Sequence, residues 1–187
     1  MADLILLTGA TGFVGRRLLT ALTQAGYHVR AVSRTARPST DQVEWVQADL
    51  MDARALRSAL ANVRTVFYLV HSMGGTAWKL DYAFAERDRA AAETFALEAE
   101  RAGLDRIIYL GGLGDRQAQL SRHLASRNQV GEILQSGAVP TTVLRAGIIL
   151  GAGSASFEML RYLVARLPVM ITPRWVNTRT QPIAVRD

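Results

Sequence analysis

The sequence predicts an α/β fold in which a doubly wound parallel sheet carries helices on both faces. Short apolar runs alternate with longer amphipathic segments along most of the chain, which is the pattern of repeated strand–helix units. The run 66–70 is continuously apolar, as suits a parallel strand that is covered on both faces. A glycine-rich turn, residues 8–15, separates the first apolar run from the first amphipathic segment.

Six strands and five helices follow in chain order from the apolar periodicity. The first helix places Val14, Leu18 and Leu22 on one face, and residues spaced by four on a helix form a buried stripe. Gly26 ends this helix, and Asp52 is the N-cap of the second. The predicted strands are residues 4–8, 28–33, 43–48, 64–70, 105–110 and 141–145, and the later helices are 52–60, 77–102, 117–136 and 154–167.

Composition excludes several kinds of site. The chain has no cysteine, which rules out disulfides, thiolate catalysis and cysteine-ligated zinc. His28, His71 and His123 are too far apart in sequence for a metal-binding motif, so we expect no metal. Because no apolar run reaches the ~18 residues of a membrane span and no basic region precedes the first apolar run, we expect a cytoplasmic protein without a membrane segment or signal peptide.

The net charge of +6 comes almost entirely from arginine, since Lys79 is the only lysine. The arginines are scattered and form no block with interleaved aromatic residues, so we do not expect a nucleic-acid partner. A basic surface suits an anionic cofactor equally well.

The glycine-rich turn is the main candidate for a binding site. Its spacing is G-x-x-G-x-x-G, between an apolar strand and a helix, and a helix start offers free N–H groups and a partial positive charge to a pyrophosphate. The alternative is a plain glycine turn. The candidate phosphate-binding residues are Thr8, Gly9, Thr11, Gly12, Phe13, Val14 and Gly15.

The end of the second strand indicates which nucleotide binds. An acidic residue there usually accepts hydrogen bonds from the ribose of NAD, but this chain has Ser33, Arg34 and Arg37. Since Arg34 can meet a ribose 2′-phosphate, we predict NADP(H) in preference to NAD(H); the alternative is a solvated surface arginine. After the third strand, Asp49 is placed to accept from the adenine amino group and Leu50 to pack on the ring, unless Asp49 is a loop residue.

Together these residues, with the glycines of 110–114, resemble the atypical short-chain dehydrogenase/reductases. The nearest branch is that of NmrA-like and nucleoside-diphosphate-sugar-epimerase-like NAD(P)H-binding proteins. The resemblance implies a Rossmann-like fold that binds NADP(H). Because ligands lie beyond the carboxyl ends of the strands, we expect His71 and Ser72, after the fourth strand, beside the pyrophosphate and ribose, unless they form an ordinary loop. Val70 and Gly111, at the ends of the fourth and fifth strands, are further candidate cofactor contacts.

The chain departs from this family at the catalytic residues. Active members carry a tyrosine and a lysine spaced Y-x-x-x-K, which move a proton and hold the ribose, and a serine near the end of strand five. Here the matching positions are His123 and Arg127, and strand five ends in Gly111 and Gly112. His123 is a candidate substitute acid and Arg127 a candidate ribose ligand; alternatively, both lie on a solvated helix face.

Two functions therefore remain open. One is an NADP(H)-dependent reductase or epimerase-like oxidoreductase acting on a small molecule; the other is a non-catalytic NADP(H)-binding sensor or interaction module, which the missing tyrosine, lysine and serine favour. Arg145 either anchors an acidic substrate or pairs with a helix carboxylate. We expect one domain over residues 1–187, with residues from about 151 on in a partial substrate-side lobe truncated at its C-terminus, and the sequence permits a homo-oligomer.

Overall fold

The computed structural model describes residues 4–71, 78–114, 120–167 and 181–187. The chain divides into two compact units, one that ends at Arg145 and one that begins at Ala146. The elements of the first unit are β1 (Leu4–Leu7), α1 (Phe13–Gln24), β2 (His28–Ser33), β3 (Val43–Gln47), α2 (Ala53–Leu60), β4 (Thr65–Tyr68), α3 (Trp78–Ala102), β5 (Arg106–Gly112), α4 (Arg122–Ser136) and β6 (Thr141–Ala146).

The first unit is built on a six-stranded sheet with the order β3-β2-β1-β4-β5-β6. The pairs β1–β2, β1–β4, β2–β3 and β4–β5 are parallel. The strand order therefore reverses between β1 and β4, which is the point where open α/β sheets bind ligands beyond the carboxyl ends of their strands.

Two hydrophobic clusters show that helices cover both faces of this sheet. Leu6 of β1 lies in a cluster with residues of α2 and α3, such as Leu56 and Phe95. Its neighbours in the strand, Ile5 and Leu7, lie in the second cluster, together with α1. Successive residues of a strand point to opposite faces, so the predicted doubly wound fold is confirmed.

The second unit contains β7 (Ile149–Leu150), α5 (Ala155–Arg166) and β8 (Ile183–Ala184). The two short strands pair in parallel, Ile149 with Ile183 and Leu150 with Ala184. These strands are not among the predicted elements, because two residues are too few to show an alternating pattern.

The helix boundaries follow the capping residues. Asp52 caps α2 as predicted, and its carboxylate accepts from the amides of Arg54 and Ala55 at 2.9 and 3.1 Å. The predicted start of α4 at residue 117 is wrong, since the helix begins at Arg122. Ser121 fixes this start, because its hydroxyl accepts from the amide of Leu124 at 3.3 Å.

Arg30 of β2 holds the other end of α2. Its guanidinium donates to the carbonyls of Ala59 and Ala61 at 2.8 and 2.7 Å, which are carbonyls that a helix end leaves unpaired. The same side chain pairs with Glu44 of β3 at 2.8 Å. Arg30 therefore links β2 to β3 and to the C-terminal end of α2.

Glu98 of α3 is a buried carboxylate that links α3 to α2. Its side chain is 1% exposed and accepts two hydrogen bonds from Arg57 of α2, at 2.8 and 3.1 Å. Arg101 adds a third at 2.6 Å. The hydrogen bond from Arg57, supported by Arg101, outweighs burial and lowers the pKa of Glu98 to about 2.

Within the described ranges, every helix is too short or too polar to cross a bilayer.

We predict that the Glu98→Gln substitution destabilises the protein in a pH-dependent way. The pKa of Glu98 in the folded protein, about 2, is below its ordinary value of 4.5, so the ion pair stabilises the fold fully above pH 4.5 and less as the pH falls towards 2. Thermal unfolding should show a lower Tm for the variant at pH 7 and a narrowing gap below pH 4.5. Glu93→Gln, which alters an exposed pair with Arg89, is the control, and an equal loss in both variants would contradict the account.

Candidate functional site

The turn between β1 and α1 opens at the carboxyl edge of the sheet, beside the end of β4. Gly9 has a φ of +68°, a conformation that glycine adopts readily and other residues rarely do. Its carbonyl accepts from the amide of Gly12 at 2.9 Å, which closes the turn. A Cβ on Gly9 would lie 3.0 Å from the backbone of Leu69, so this glycine also lets the turn lie against the chain that follows β4.

Gly15 and Gly12 meet different requirements. A Cβ on Gly15 would collide with the backbone of Gly9 and would lie 2.9 Å from the Cα of Ala10, so Gly15 allows the helix to pack on its own turn. Gly12 is exposed and has an ordinary extended backbone, with φ −75° and ψ 176°. Its missing side chain leaves the mouth of the turn open to a ligand.

The first turn of α1 retains its positive partial charge. Among the described residues no side chain caps the helix at Gly12, and the first turn carries no acidic residue. Helix N-termini in this state attract anions through their free amides and dipole. The glycine turn therefore fits the pyrophosphate of a nucleotide, by its open mouth and its uncapped amides.

Thr8 holds the turn in place from the protein interior. It is fully buried, and its hydroxyl donates to the carbonyl of Phe67 at 3.3 Å and accepts from the amide of Leu69 at 3.1 Å. These bonds join the end of β1 to the end of β4, so this hydroxyl positions the turn from inside the protein.

The other predicted phosphate-binding residues lie at the mouth of the turn. Thr11 is exposed, and Phe13 and Val14 are half-buried. Arg17 lies over the ring of Phe13, with its guanidinium carbon 4.4 Å from the ring centroid.

The end of β2 presents the predicted 2′-phosphate residues. Arg34 is exposed, and its guanidinium makes no bond within the described part of the chain. Its carbonyl accepts from Gln47 at 3.0 Å, which fixes the backbone. Ser33 is almost fully buried and bonds Thr35 through its hydroxyl at 3.2 Å. Arg37 is exposed, and its guanidinium carbon lies 5.2 Å from the ring centroid of Trp45.

Two predicted adenine-binding residues at the end of β3, Asp49 and Leu50, take part in the fold. One carboxylate oxygen of Asp49 accepts from the amide of Met51 at 3.0 Å, and its carbonyl accepts from the amide of Asp52 at 3.0 Å. Asp49 thus shapes the turn into α2, as in the loop alternative. Leu50 is only 7% exposed and belongs to the main core, so it has little surface to offer an adenine ring.

Three predicted site residues lie together near the ends of β4 and β5: His71, His123 and Arg127. The rings of His71, after β4, and His123, in the first turn of α4, have centroids 6.0 Å apart. Burial, followed by the charges of Arg127 and His123, lowers the pKa of His71 to about 4, so its imidazole is neutral at pH 7. Val70 is half-buried beside His71. Ser72 lies outside the described residues.

Asp88 of α3 also acts on this cluster, although no sequence pattern pointed to it. Its negative charge opposes the lowering of the His71 pKa, and it acts in the same direction on the pKa of the buried Tyr68 and Tyr109. A carboxylate in the middle of a long helix is ordinarily a surface residue, and only the packing of α3 against β4 and β5 reveals its position.

Arg127 is held against the end of β5. Its guanidinium donates to the carbonyl of Leu110 at 2.6 Å, and its own carbonyl accepts from the hydroxyl of Tyr109 at 3.0 Å. Its Nε is buried with no partner among the described residues. A Cβ on Gly112 would lie 2.7 Å from Leu124. The packing of α4 therefore explains the glycine at residue 112, at the strand end where the resemblance implied a serine. Gly111 is buried in the same strand.

We predict that Gly12→Ala weakens NADPH binding while the protein stays folded. The backbone of Gly12 is allowed for alanine, and the new Cβ would lie 3.2 Å from the carbonyl oxygen of Gly9, but its methyl group would stand at the mouth of the turn. Calorimetry should show a Kd raised by at least about tenfold, or about 1.4 kcal/mol. Thermal unfolding should show a small change in Tm.

Gly137→Ala is the matched control for this substitution. Gly137 has nearly the same backbone, φ −73° and ψ 169°, and its Cβ would make an ordinary contact of 3.5 Å with Ala96. It lies at the far end of α4 from His123. Equal NADPH affinities of the Gly12→Ala and Gly137→Ala variants would contradict a phosphate site at α1.

Comparisons with known proteins agree with this geometry. The ceramide reductase of Caulobacter vibrioides is 32% identical over 170 residues, which cover 89% of this chain and 52% of that protein. A short-chain dehydrogenase/reductase superfamily protein from Agrobacterium tumefaciens, solved with bound NAD, is 24% identical with a TM-score of 0.68 over 80% of this chain and 51% of that one. The chain spans about half the length of these two proteins.

A second solved structure matches nearly the whole chain. The UDP-glucuronic acid 4-epimerase of Bacillus cereus, in complex with NAD, has a TM-score of 0.76 and 17% identity over 98% of this chain and 69% of that one. The Rossmann-like fold of the short-chain dehydrogenase/reductases is therefore confirmed. Residues 9–154 match the model of the NAD(P)H-binding family, so the chain belongs to that family and its cofactor is a nicotinamide nucleotide.

Proposed function

We propose that this chain forms the cofactor domain of an NADP(H)-dependent oxidoreductase that reduces a carbonyl group of a small molecule. The observation that carries the proposal is the meeting of His71, His123 and Arg127 at the carboxyl edge of the sheet, where the glycine turn also opens. The ceramide reductase of Caulobacter supports this class of reaction.

Arg34 supports NADP(H) as the cofactor form. Its guanidinium is exposed at the end of β2 and makes no bond within the described ranges, so it is free to meet a phosphate. A hydrogen bond to a charged group contributes about 1.5–3 kcal/mol, which corresponds to a preference of roughly tenfold to a hundredfold. The neighbouring Arg37 adds a second positive charge on the same loop.

The bound nicotinamide supplies the hydride that reduces the substrate carbon. The amides at the start of α1 would hold the pyrophosphate and so orient the nucleotide along the carboxyl edge. His123 would give a proton to the substrate oxygen, since it is exposed at the start of α4 and histidine is the residue type most often used as a general acid. His71 is unsuited to that role, because burial lowers its pKa to about 4.

Arg127 would act by position and charge. It is fastened to Leu110 by a 2.6 Å hydrogen bond, which fixes its guanidinium beside the His71–His123 pair. Its positive charge would stabilise negative charge on the substrate oxygen.

The alternative function is an NADP(H)-binding sensor or interaction module that does not turn over. The packing at the end of β5 favours it. Helix α4 packs on the two glycines there, and a terminal nitrogen of Arg127 donates to the carbonyl of Leu110. An arginine held in this way is a poor substitute for a mobile proton-transferring residue.

Further proposals concern the substrate, the cellular location, the partners and the C-terminal segment. We propose a small-molecule substrate and a cytoplasmic location, where the nucleotide is available. We expect no nucleic-acid partner, in keeping with scattered arginines, and a homo-oligomer is permitted. The segment from about residue 151 is proposed to contribute to a substrate-side lobe.

We predict that Arg34→Gln lowers NADPH affinity by at least about tenfold and leaves NADH affinity unchanged, because only NADPH carries the 2′-phosphate. Fluorescence titration with each nucleotide measures both constants. Arg106→Gln removes the same charge at the amino end of β5, the opposite edge of the sheet, and should change neither. The cofactor assignment fails if wild-type protein binds NADH as tightly as NADPH.

We predict that the protein oxidises NADPH with a member of a carbonyl and quinone panel, and that His123→Gln lowers kcat by about 10²–10⁴-fold with NADPH affinity unchanged. His28→Gln, which alters an exposed histidine at the start of β2, is the control. NADPH binding without turnover of any panel member would support the sensor. Full activity in His123→Gln would remove this residue from the mechanism.

A further inference from the structure

A small polar cavity lies between α4 and β6, inside the first unit and away from the glycine turn. Its volume is about 120 Å³, enough for a group the size of a carboxylate or phosphate with a few waters. Two arginines, two amides, two glycines and a valine line it: Gly111, Arg127, Asn128, Gly131, Gln135, Val143 and Arg145. None of these residues is acidic.

Two glycines of the cavity wall allow close packing of α4 on the strands beside it. A Cβ on Gly111 would lie 3.2 Å from both Val143 and the ring of Tyr109. A Cβ on Gly131 would lie 3.4 Å from the same ring. Since both positions lack a side chain, Tyr109 and Val143 pack closely there, and α4 stands near β5 and β6 with its polar side chains at the cavity.

Among the residues that the structure describes, neither arginine of this cavity pairs with a carboxylate. Arg145 is exposed on β6, and its side chain makes no ion pair or hydrogen bond with any part of the chain that the structure describes. Arg127 donates to the Leu110 carbonyl, but its buried Nε is unpaired among the described residues. Other arginines of this unit, such as Arg57 and Arg64, do pair with carboxylates.

We propose that this cavity binds the anionic group, a carboxylate or a phosphate, of the substrate. Guanidinium groups bind both through paired hydrogen bonds, and the amides of Asn128 and Gln135 supply further N–H donors. A cation would meet two like charges here. The proposal deepens the proposed function, on which it rests for the identity of the ligand as substrate.

The phosphates of the cofactor are a separate source of the same chemistry, but they belong elsewhere. The glycine turn follows β1, and the cavity borders β6, which is three strands away in the sheet. At the usual spacing of neighbouring strands this separates the two places by roughly 14 Å. Anion binding in the cavity should therefore persist when the nucleotide site is full.

The test is a titration of the protein with inorganic phosphate and with acetate, followed by the NMR signals of the arginine side chains at constant ionic strength. Each titration is run with and without saturating NADPH. We expect saturable shifts of Arg145 and Arg127 in both conditions. Arg145→Gln should weaken binding by at least about tenfold, and Arg145→Lys should weaken it less, since it keeps the charge and loses the paired donors.

Two further variants test whether a loss of anion binding comes from unfolding or from a lower overall charge. Arg106→Gln removes one positive charge outside the cavity and should leave affinity within about twofold. Gly131→Ala adds a methyl group at the cavity wall, in contact with Tyr109 and Val143. Because it also improves helix propensity, it should stay folded and weaken anion binding. All variants should retain wild-type NADPH affinity, which separates this site from the cofactor site.

Three outcomes would overturn the proposal. The first is the absence of saturable anion binding to wild-type protein, and the second is equal weakening by Arg145→Gln and Arg106→Gln. The third is loss of anion binding on addition of NADPH, which would place the anion in the glycine turn. If the anion binds as expected but no carbonyl compound is reduced, the anion site stands and the proposed reductase function fails.

Discussion

The site depends on one close approach, that of the β1–α1 turn to the end of β4. A Cβ on Gly9 would lie 3.0 Å from the backbone of Leu69, so glycine lets the turn lie close to the chain that follows β4. Gly15 in turn packs on the backbone of Gly9. Thr8 fastens the two strands beneath the turn through Phe67 and Leu69. Because these contacts leave no room for side chains, they fix the start of α1 at the switch point, with its amides directed out of the core.

The sequence predicts most of what is local. Strand and helix order, the Asp52 cap and the glycine turn follow from patterns within about ten residues, because periodicity and capping are short-range properties. The β7–β8 pair and the start of α4 escaped prediction, since two-residue strands carry no pattern and Ser121 outweighs the helical propensity before it. Leu50 was expected at the adenine ring, but it packs into the main core.

The candidate site was only partly predictable for the same reason. His71 and His123 could each be chosen from their place after a strand or in a helix, but their 6.0 Å separation depends on how α4 packs beside β4 and β5. Asp88 was missed altogether. The arginines divide in a way that sequence does not show: Arg30 and Arg57 hold the fold together, whereas Arg34 and Arg145 stay available for ligands.

The central claim is that the uncapped start of α1 binds the pyrophosphate of a nicotinamide nucleotide. The most direct test is an NMR titration with NADP⁺ that follows the backbone amide signals of the whole chain. Saturable shifts that are largest at Phe13, Val14 and Gly15 are the predicted result, since the amides of the first helical turn have no partner within the helix. Binding of NADP⁺ that leaves those three signals unmoved, or no binding at all, would contradict the account.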